Sequence, residues 1–448
     1  MSPWLASLGL AAAAATTSAC ASQNAIVRQY QQMRPELLRG DFSGAAAELA
    51  ASKGEAYKVR DRVPYLLNLG TLQHYAGEYE ASMDSLIEAE EEMRALWTKS
   101  ISGEVSRFVV NETSVAYAGA DFERILVYLY TALNRVAQGR IQDALVEARR
   151  ADEELQRMKI AYEGEEGLGT VYTQDAFMLW LVGLFYEIEG SYEDARLAYE
   201  ASVQAYREVY GRFGTGAPSY LTEDLRRAAW LAGRELGPRP KGETDSAQAW
   251  GEGWAELILI HGNGEAPQKV EESLTVPTLD GYLVRVALPR FVIRAPRVRG
   301  LRVEASGLSA RGFEAEPVSR IAEAQFEAQR PAIVARAVAR AAIKYAATKT
   351  AERAVGGGRD ASSERQVAGA LVGLLANIAF AANESADLRA WTTLPSEFLV
   401  ARLWLPPGRH ELTIDFLGSG GSVARPGQRV EVELQSRERR ILSVRSIR

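Results

Sequence analysis

The chain is nearly without the residues that build redox and metal centres. Its 448 residues include one cysteine, Cys20, which excludes an internal disulfide and a cysteine-based metal site. The three histidines, His74, His261 and His410, are far apart, and no His-x-x-x-His or HExxH spacing occurs. No metal and no cofactor is therefore expected. A phosphate-binding loop is missing too: Gly356-Gly357-Gly358-Arg359-Asp360 lacks the Gly-Lys-Ser/Thr ending. Nor is there a Gly-x-Ser-x-Gly nucleophile turn. The formal charge of −6 weighs against nucleic acid as a partner. Long apolar runs are scarce. Val367 to Ala382 is short of a bilayer span and carries Asn377, so a buried helix is the better expectation.

What is present starts at the N-terminus. The run from Trp4 to Ala15 is apolar, uncharged and too short to span, and it closes on Thr17-Ser18-Ala19-Cys20. Small residues leading into a lone cysteine resemble the bacterial lipoprotein signal. That resemblance implies cleavage before Cys20, lipidation of Cys20 and stable anchoring by several acyl chains. Ala21 follows where an inner-membrane retention signal would place Asp, so the resemblance implies the periplasmic face of the outer membrane. A secretory peptide with a coincidental cysteine, or a buried N-terminal helix, is the alternative.

The length suggests two to three domains, and 47% hydrophobic content supplies real cores. Residues 20–237 read as helix with an internal rhythm. A glycine-aromatic or glycine-aliphatic turn recurs between helices at Gly77-Glu78-Tyr79, Gly139-Arg140-Ile141 and Gly190-Ser191-Tyr192, with a fainter copy at Gly40-Asp41-Phe42. Glycine there would end one helix in the left-handed conformation, and small residues at set offsets would let the pair pack closely. The pattern resembles the tetratricopeptide repeat, although the glycines are 37, 62 and 51 residues apart rather than the usual ~34. A generic helical bundle is the alternative. Stacked repeats leave a concave face suited to a peptide or partner helix. Asn68, Tyr75, Tyr128, Arg135, Leu179 and Tyr186 are the candidate partner-binding residues on it. A helix over 222–236, opened by Thr222, reads as the cap of the stack.

Prolines and glycines at 238–250 mark a linker, after which the character turns to strand. Strands are expected at 255–261, 281–288, 290–294, 398–405, 410–416, 429–435 and 440–444. Helices at 317–354 and 364–383 interrupt them. The expectation is an α+β multidomain protein: a tetratricopeptide-like α-solenoid, then a β-sandwich-like domain in two parts, 251–316 and 386–448, split by a helical hairpin insertion at 317–385.

Three further pieces carry a resemblance over most of the mature chain: Ala144–Ala151 with Asp175-Ala176-Phe177, Gly264–Lys269, and Ala386–Pro395. With the repeats and Cys20 they resemble a bacterial tetratricopeptide-repeat lipoprotein family of unknown function. Its members are found near the lipoprotein that activates a penicillin-binding protein. The resemblance implies an envelope location and a link to peptidoglycan machinery, and supplies no catalytic residues. The expected function is a lipid-anchored periplasmic scaffold or adaptor binding envelope proteins. The alternative is a membrane-associated oligomeric assembly or secretion accessory using the 331–383 hairpin.

An enzyme is not expected. Glu265 with Lys269, and Asp387 with Arg389 and Trp391, could be argued as a site, but 58 carboxylates make chance pairs common. Two arginine-rich stretches, from Arg285 to Arg302 and from Arg437 to Arg448, fit either a solvated sheet face or contact with anionic envelope polymers or head groups.

Overall fold

A computed structural model describes residues 26–101, 115–163, 171–234, 246–277, 283–356, 369, 371–372 and 385–447. Cys20 lies outside the described residues, as do most of the expected linker and nearly all of the helix expected at 364–383. The chain is an α+β protein of helices followed by strands.

Helix α1 spans 26–39. It is followed by α2 (Phe42–Ala51), α3 (Lys53–Ala56), α4 (Arg62–Ala76), α5 (Tyr79–Ile101), α6 (Asp121–Ala137) and α7 (Ile141–Tyr162). Then come α8 (Ala176–Ile188), α9 (Tyr192–Glu208), α10 (Ser219–Leu231) and the short α11 (Ser246–Gly251). Each helix from α4 to α10 packs on the next in order.

The four turn glycines explain the hairpins. Gly40, Gly77, Gly139 and Gly190 all sit at positive φ, between 73° and 81°. After each, the next N–H bonds back five residues: Asp41 to Glu36, Glu78 to Gln73, Arg140 to Arg135 and Ser191 to Tyr186, at 2.8–2.9 Å. That bond satisfies a carbonyl which the helix end would otherwise leave open. Small residues then allow close packing. A Cβ on Gly70 would lie 2.6 Å from Leu86, and one on Gly183 would lie 2.5 Å from the Tyr199 ring.

The strands are β1 (Ala255–Asn263), β2 (Gln268–Pro277), β3 (Leu283–Val292), β4 (Gly300–Ala305), β5 (Leu308–Arg311) and β6 (Phe313–Glu316). After the 39-residue helix α12 (Val318–Gly356) come β7 (Glu397–Leu405), β8 (Gly408–Leu417), β9 (Val423–Leu434) and β10 (Arg439–Ser446). One sheet has the order β10-β1-β7-β6, with β10 parallel to β1, and the other has β5-β4-β8-β9. β2 and β3 form a separate ribbon. Pro289 lies inside β3, so the two strands expected around it are one. Its missing N–H is tolerated because, among the described residues, β3 pairs with β2 alone.

β1 shows how the layers fit. Leu257 and Leu259 enter the core between the two sheets, beside Val303, Ile414 and Phe416. Ile258 and Ile260 enter the core shared with the helices, beside Trp180 and Phe398. A strand covered on both faces need not alternate with polar residues, which is why Leu257 to Ile260 is a continuous apolar run.

Helices and first sheet are also joined by a buried ring of alternating charge. Glu187, Arg227, Asp224, Arg402, Glu256 and Arg439 pair in that order and close on Glu187. Every side chain in the ring is at most 7% exposed. With three charges of each sign the ring is neutral, which is what makes burial of six ions tolerable.

Several expectations are corrected here. α10 begins at Ser219 rather than at Thr222, and its Asp224 and Arg227 belong to the ring. It packs on α9 and also meets the first sheet through that ring. Residues 246–250 of the expected linker are helical. Arg439 and Arg445 fit neither reading of the C-terminal arginines: both are buried. Arg445 donates to the carbonyls of Gly262, Thr393, Leu394 and Ser446.

Candidate binding site

The segment 385–396 runs without regular structure against the inner face of the helices. Asn68 on α4 binds it as a peptide would be bound. Its Oδ1 accepts from Thr393 N–H at 2.9 Å and from the Thr392 hydroxyl at 3.1 Å. Its Nδ2 donates to the Pro64 carbonyl at 2.7 Å. Glu123 on α6 accepts from Trp391 N–H at 2.7 Å, and from Ala120 N–H and the Tyr117 hydroxyl. The indole N–H of Trp391 reaches the Thr71 hydroxyl.

Arg389 is the second anchor. Its guanidinium grips Asp387 through two bonds of 2.8 and 2.9 Å. Nη1 donates to the Val115 carbonyl at 2.9 Å and to Asp61 at 3.3 Å. Burial pushes the Asp387 carboxyl up, but Arg389 and Lys269 beside it outweigh burial and hold it below the usual range. The Lys269 ammonium donates to the Arg389 carbonyl at 3.0 Å.

A cleft of about 250 Å3 opens beside this anchor, between α1, β2 and residues 388–392. Ile26, Val27, Val270, Leu388 and Ala390 supply its apolar lining, and Gln31, Lys269, Glu271 and Arg389 its polar rim. Glu265 closes the neighbouring wall. It accepts from the Tyr30 hydroxyl at 2.5 Å and from Arg34 at 3.2 and 3.3 Å. Burial raises its carboxyl, yet the Arg34 and Tyr30 hydrogen bonds leave it below the ordinary value. Glu271 accepts from Ala386 N–H at 2.9 Å and pairs with Arg285 at 2.5 Å.

The structure thus brings Glu265, Lys269, Asp387 and Arg389 to one region, as the two sequence pairs hinted. Each is held by a structural partner. The arrangement suits shape and hydrogen-bond recognition, since each of these charged groups already makes a charge-assisted or backbone hydrogen bond that fixes its position. Among the described residues no group of three or more His, Asp or Glu is placed to hold a metal.

The six candidate partner-binding residues do not form one open face. Asn68 is fully buried against the chain's own Thr392 and Thr393. The Tyr75 hydroxyl meets Tyr130, and Arg445 lies over its ring. Tyr128 is buried on a different side, donating to Glu90 beneath Arg150. Arg135, Leu179 and Tyr186 are half-buried; Leu179 and Tyr186 pack on the helical core, and Arg135 and Tyr186 lend carbonyls to the turn bonds. The inner face is occupied from within, because sheet and segment fill the hollow that the helices leave. The residues of α1 that reach the site were not among the sequence candidates. Ile26, Tyr30 and Arg34 recur every four residues on one face of that helix, and that spacing was the available signal.

No family model and no curated protein matches the chain. Among solved structures, the apo form of RapI aligns over 49% of this chain and 55% of its own length, at 13% identity and a TM-score of 0.29. A likeness that slight carries no argument about function.

Proposed function

We propose that the protein is a lipid-anchored scaffold of the bacterial envelope, held at the periplasmic face of the outer membrane through Cys20. Its helices are a tetratricopeptide-like array that braces the β-sandwich instead of clasping a foreign peptide. Partners meet the cleft between α1, β2 and residues 388–392. Envelope proteins, peptidoglycan machinery among them, are the partner class. The observation that carries this reading is the cleft itself: apolar within, polar at the rim, with its charges already matched by neighbours. No reaction is needed for such a role.

In-cell crosslinking of the full-length protein tests it. Recovery of envelope proteins is expected, lost in Cys20→Ala and reduced in Val270→Glu, which places a charge in the cleft. Recovery of the same partners from both variants would sink the reading.

A second reading is an oligomeric membrane-associated assembly built on the 331–383 hairpin. Val338, Ile343 and Leu371 favour it, since all three are large, apolar and exposed. Among the described residues no helix is long and apolar enough to cross a membrane. Detergent-dependent oligomers of the Cys20→Ala protein, abolished by Val338→Glu, would favour this second reading over the first.

A further inference from the structure

We infer that the end of the second sheet carries an oxyanion site, formed by Arg299, Arg311 and the Gly418–Gly421 turn, that takes a phosphate group. This rests on different residues from the proposed scaffold role and stands apart from it. The cleft encloses about 310 Å3, at the lower end of the ~300–1,000 Å3 usual for small-ligand sites. Its walls are the start of β4, the joint between β5 and β6, and the turn between β8 and β9. Two backbone bonds clamp these segments together. Arg299 N–H donates to the Leu417 carbonyl at 2.6 Å, and Gly312 N–H to the Leu301 carbonyl at 2.7 Å. A Cβ on Gly312 would lie 2.9 Å from that of Leu301, so this joint closes tightly only with glycine.

Charge supplies the second observation. In the β4–β5 register Arg302 stands opposite Arg311. Like charges directly opposite each other destabilise a sheet. Arg302 is offset by Asp415 at 2.6 Å and by Glu304 at 3.2 Å. Arg311 and Arg299 are exposed, and among the described residues neither meets a carboxylate. Two guanidinium groups at one concavity, with no acid between them, leave a positive site that an anion would complete. Guanidinium matches phosphate oxygens two bonds at a time. The turn adds backbone without bulk: Gly420 and Gly421 have φ of 79° and 80° and open space where side chains would be.

The phosphate could belong to a soluble ester or to a lipid head group, and the test separates the two. Full-length protein is titrated calorimetrically with inorganic phosphate. As the Cys20→Ala protein, so that no acyl anchor contributes, it is also floated with phosphatidylcholine vesicles, with and without phosphatidylglycerol. Saturable binding is expected, weakened about tenfold by R299Q and by R311Q. R297Q, an exposed arginine outside the cleft lining, is expected to bind like the parent. All three positions are exposed, and unchanged melting curves would verify folding. Phosphate binding without flotation supports the site with a soluble source. Flotation that needs phosphatidylglycerol and is lost in R299Q and R311Q supports it with a lipid source. No saturable binding in either arm, or an equal loss in R297Q, overturns the inference, because the attraction would then be diffuse.

Discussion

The indole N–H of Trp391 donates to the Thr71 hydroxyl at 2.7 Å, joining residues 320 positions apart. Trp391 is 1% exposed and also packs against Tyr130, with ring centroids 5.6 Å apart. It is the point at which the β-module is pinned into the helices. Trp391→Ala is expected to lower unfolding free energy by about 3–5 kcal/mol, as for other buried tryptophans. Trp391→Phe keeps most of the volume and strands the Thr71 partner, so its cost should be smaller, about 1–3 kcal/mol. Urea denaturation of both variants measures this. Equal stability of Trp391→Ala and parent would show that the pin carries nothing.

The charge ring makes a sharper prediction. Arg227→Met removes one positive charge and leaves Glu187 and Asp224 short of a partner, at a cost of about 3–5 kcal/mol. Arg227→Met with Glu187→Leu removes one charge of each sign and should recover part of that loss. A double-mutant cycle with a coupling near zero would deny that the ring acts as a unit. Burial alone would push the Glu187 carboxyl up, but Arg227 and Arg439 outweigh burial and hold it below its ordinary value. Its stabilisation is therefore present above the unfolded carboxylate range, near pH 4.5, and fades as pH falls through the lowered folded value.

Acids on the opposite flank work the other way. Tyr172 and Tyr210 both donate to Asp175 and to Glu316. Burial, then the neighbouring Asp175, pushes Glu316 well above its usual value. Glu397 is pushed up to about 7 by burial and by Glu314 beside it. A carboxyl raised by folding binds more protons folded than unfolded, so stability falls as pH rises. For Glu397 the fall runs from pH 4.5 to about 7, and for Glu316 it continues higher. Glu397→Gln should flatten the curve in the lower part of that window, as read by melting temperature against pH. An unchanged slope would remove Glu397 from the account.

His74 opposes that trend within the same window. Burial pulls its pKa down to about 4, although the bond to Asn134 partly resists. A neutral buried imidazole costs stability as pH falls from about 6.5 toward 4, because the unfolded chain takes the proton first. His261, pulled down to about 3 by burial and then by Arg445, loses stability over the same range, so His74→Gln should remove part of the acid-side loss and leave the part that His261 carries. If acid sensitivity between pH 6.5 and 4 persists unchanged, another group is responsible.

Two glycines separate packing from backbone strain. Gly183→Ala drives a Cβ to 2.5 Å from the buried Tyr199 ring, an overpacking expected to cost about 1–3 kcal/mol. Gly190→Ala meets nothing within 4 Å, but Gly190 lies at φ +81°; the left-handed backbone then costs about 1–2 kcal/mol. A second change, Tyr199→Leu, should relieve the first variant and leave the second unaffected. Equal response of both would contradict the distinction.

Local rules reached some elements and missed others. The turn glycines were legible because a left-handed helix stop needs glycine whatever surrounds it. β1, β7, β8, β9 and β10 were legible as apolar runs or alternations. β4, β5 and β6 are only six, four and four residues long, too short for a period to declare itself. Pro289 and Thr222 misled for a common reason. Each is a local signal, for a strand break and a helix start, that tertiary pairing and packing overrode.

Of the candidate site, Glu265, Lys269, Asp387 and Arg389 were visible as residues, but their convergence was not. Asn68 was singled out as a contact for a foreign peptide, and it does bind an extended segment, the chain's own Thr392-Thr393. The sequence by itself determined helix then sheet, the hairpin stops and the stretch that becomes a two-faced strand, since each depends on neighbours within a few positions. Only the tertiary structure decided what fills the inner face, that six ions close into one buried ring, and that Arg389 anchors segments 274 and 328 residues away. Those outcomes depend on which apolar surfaces and unpaired charges find each other on collapse, and spacing along the chain does not encode that.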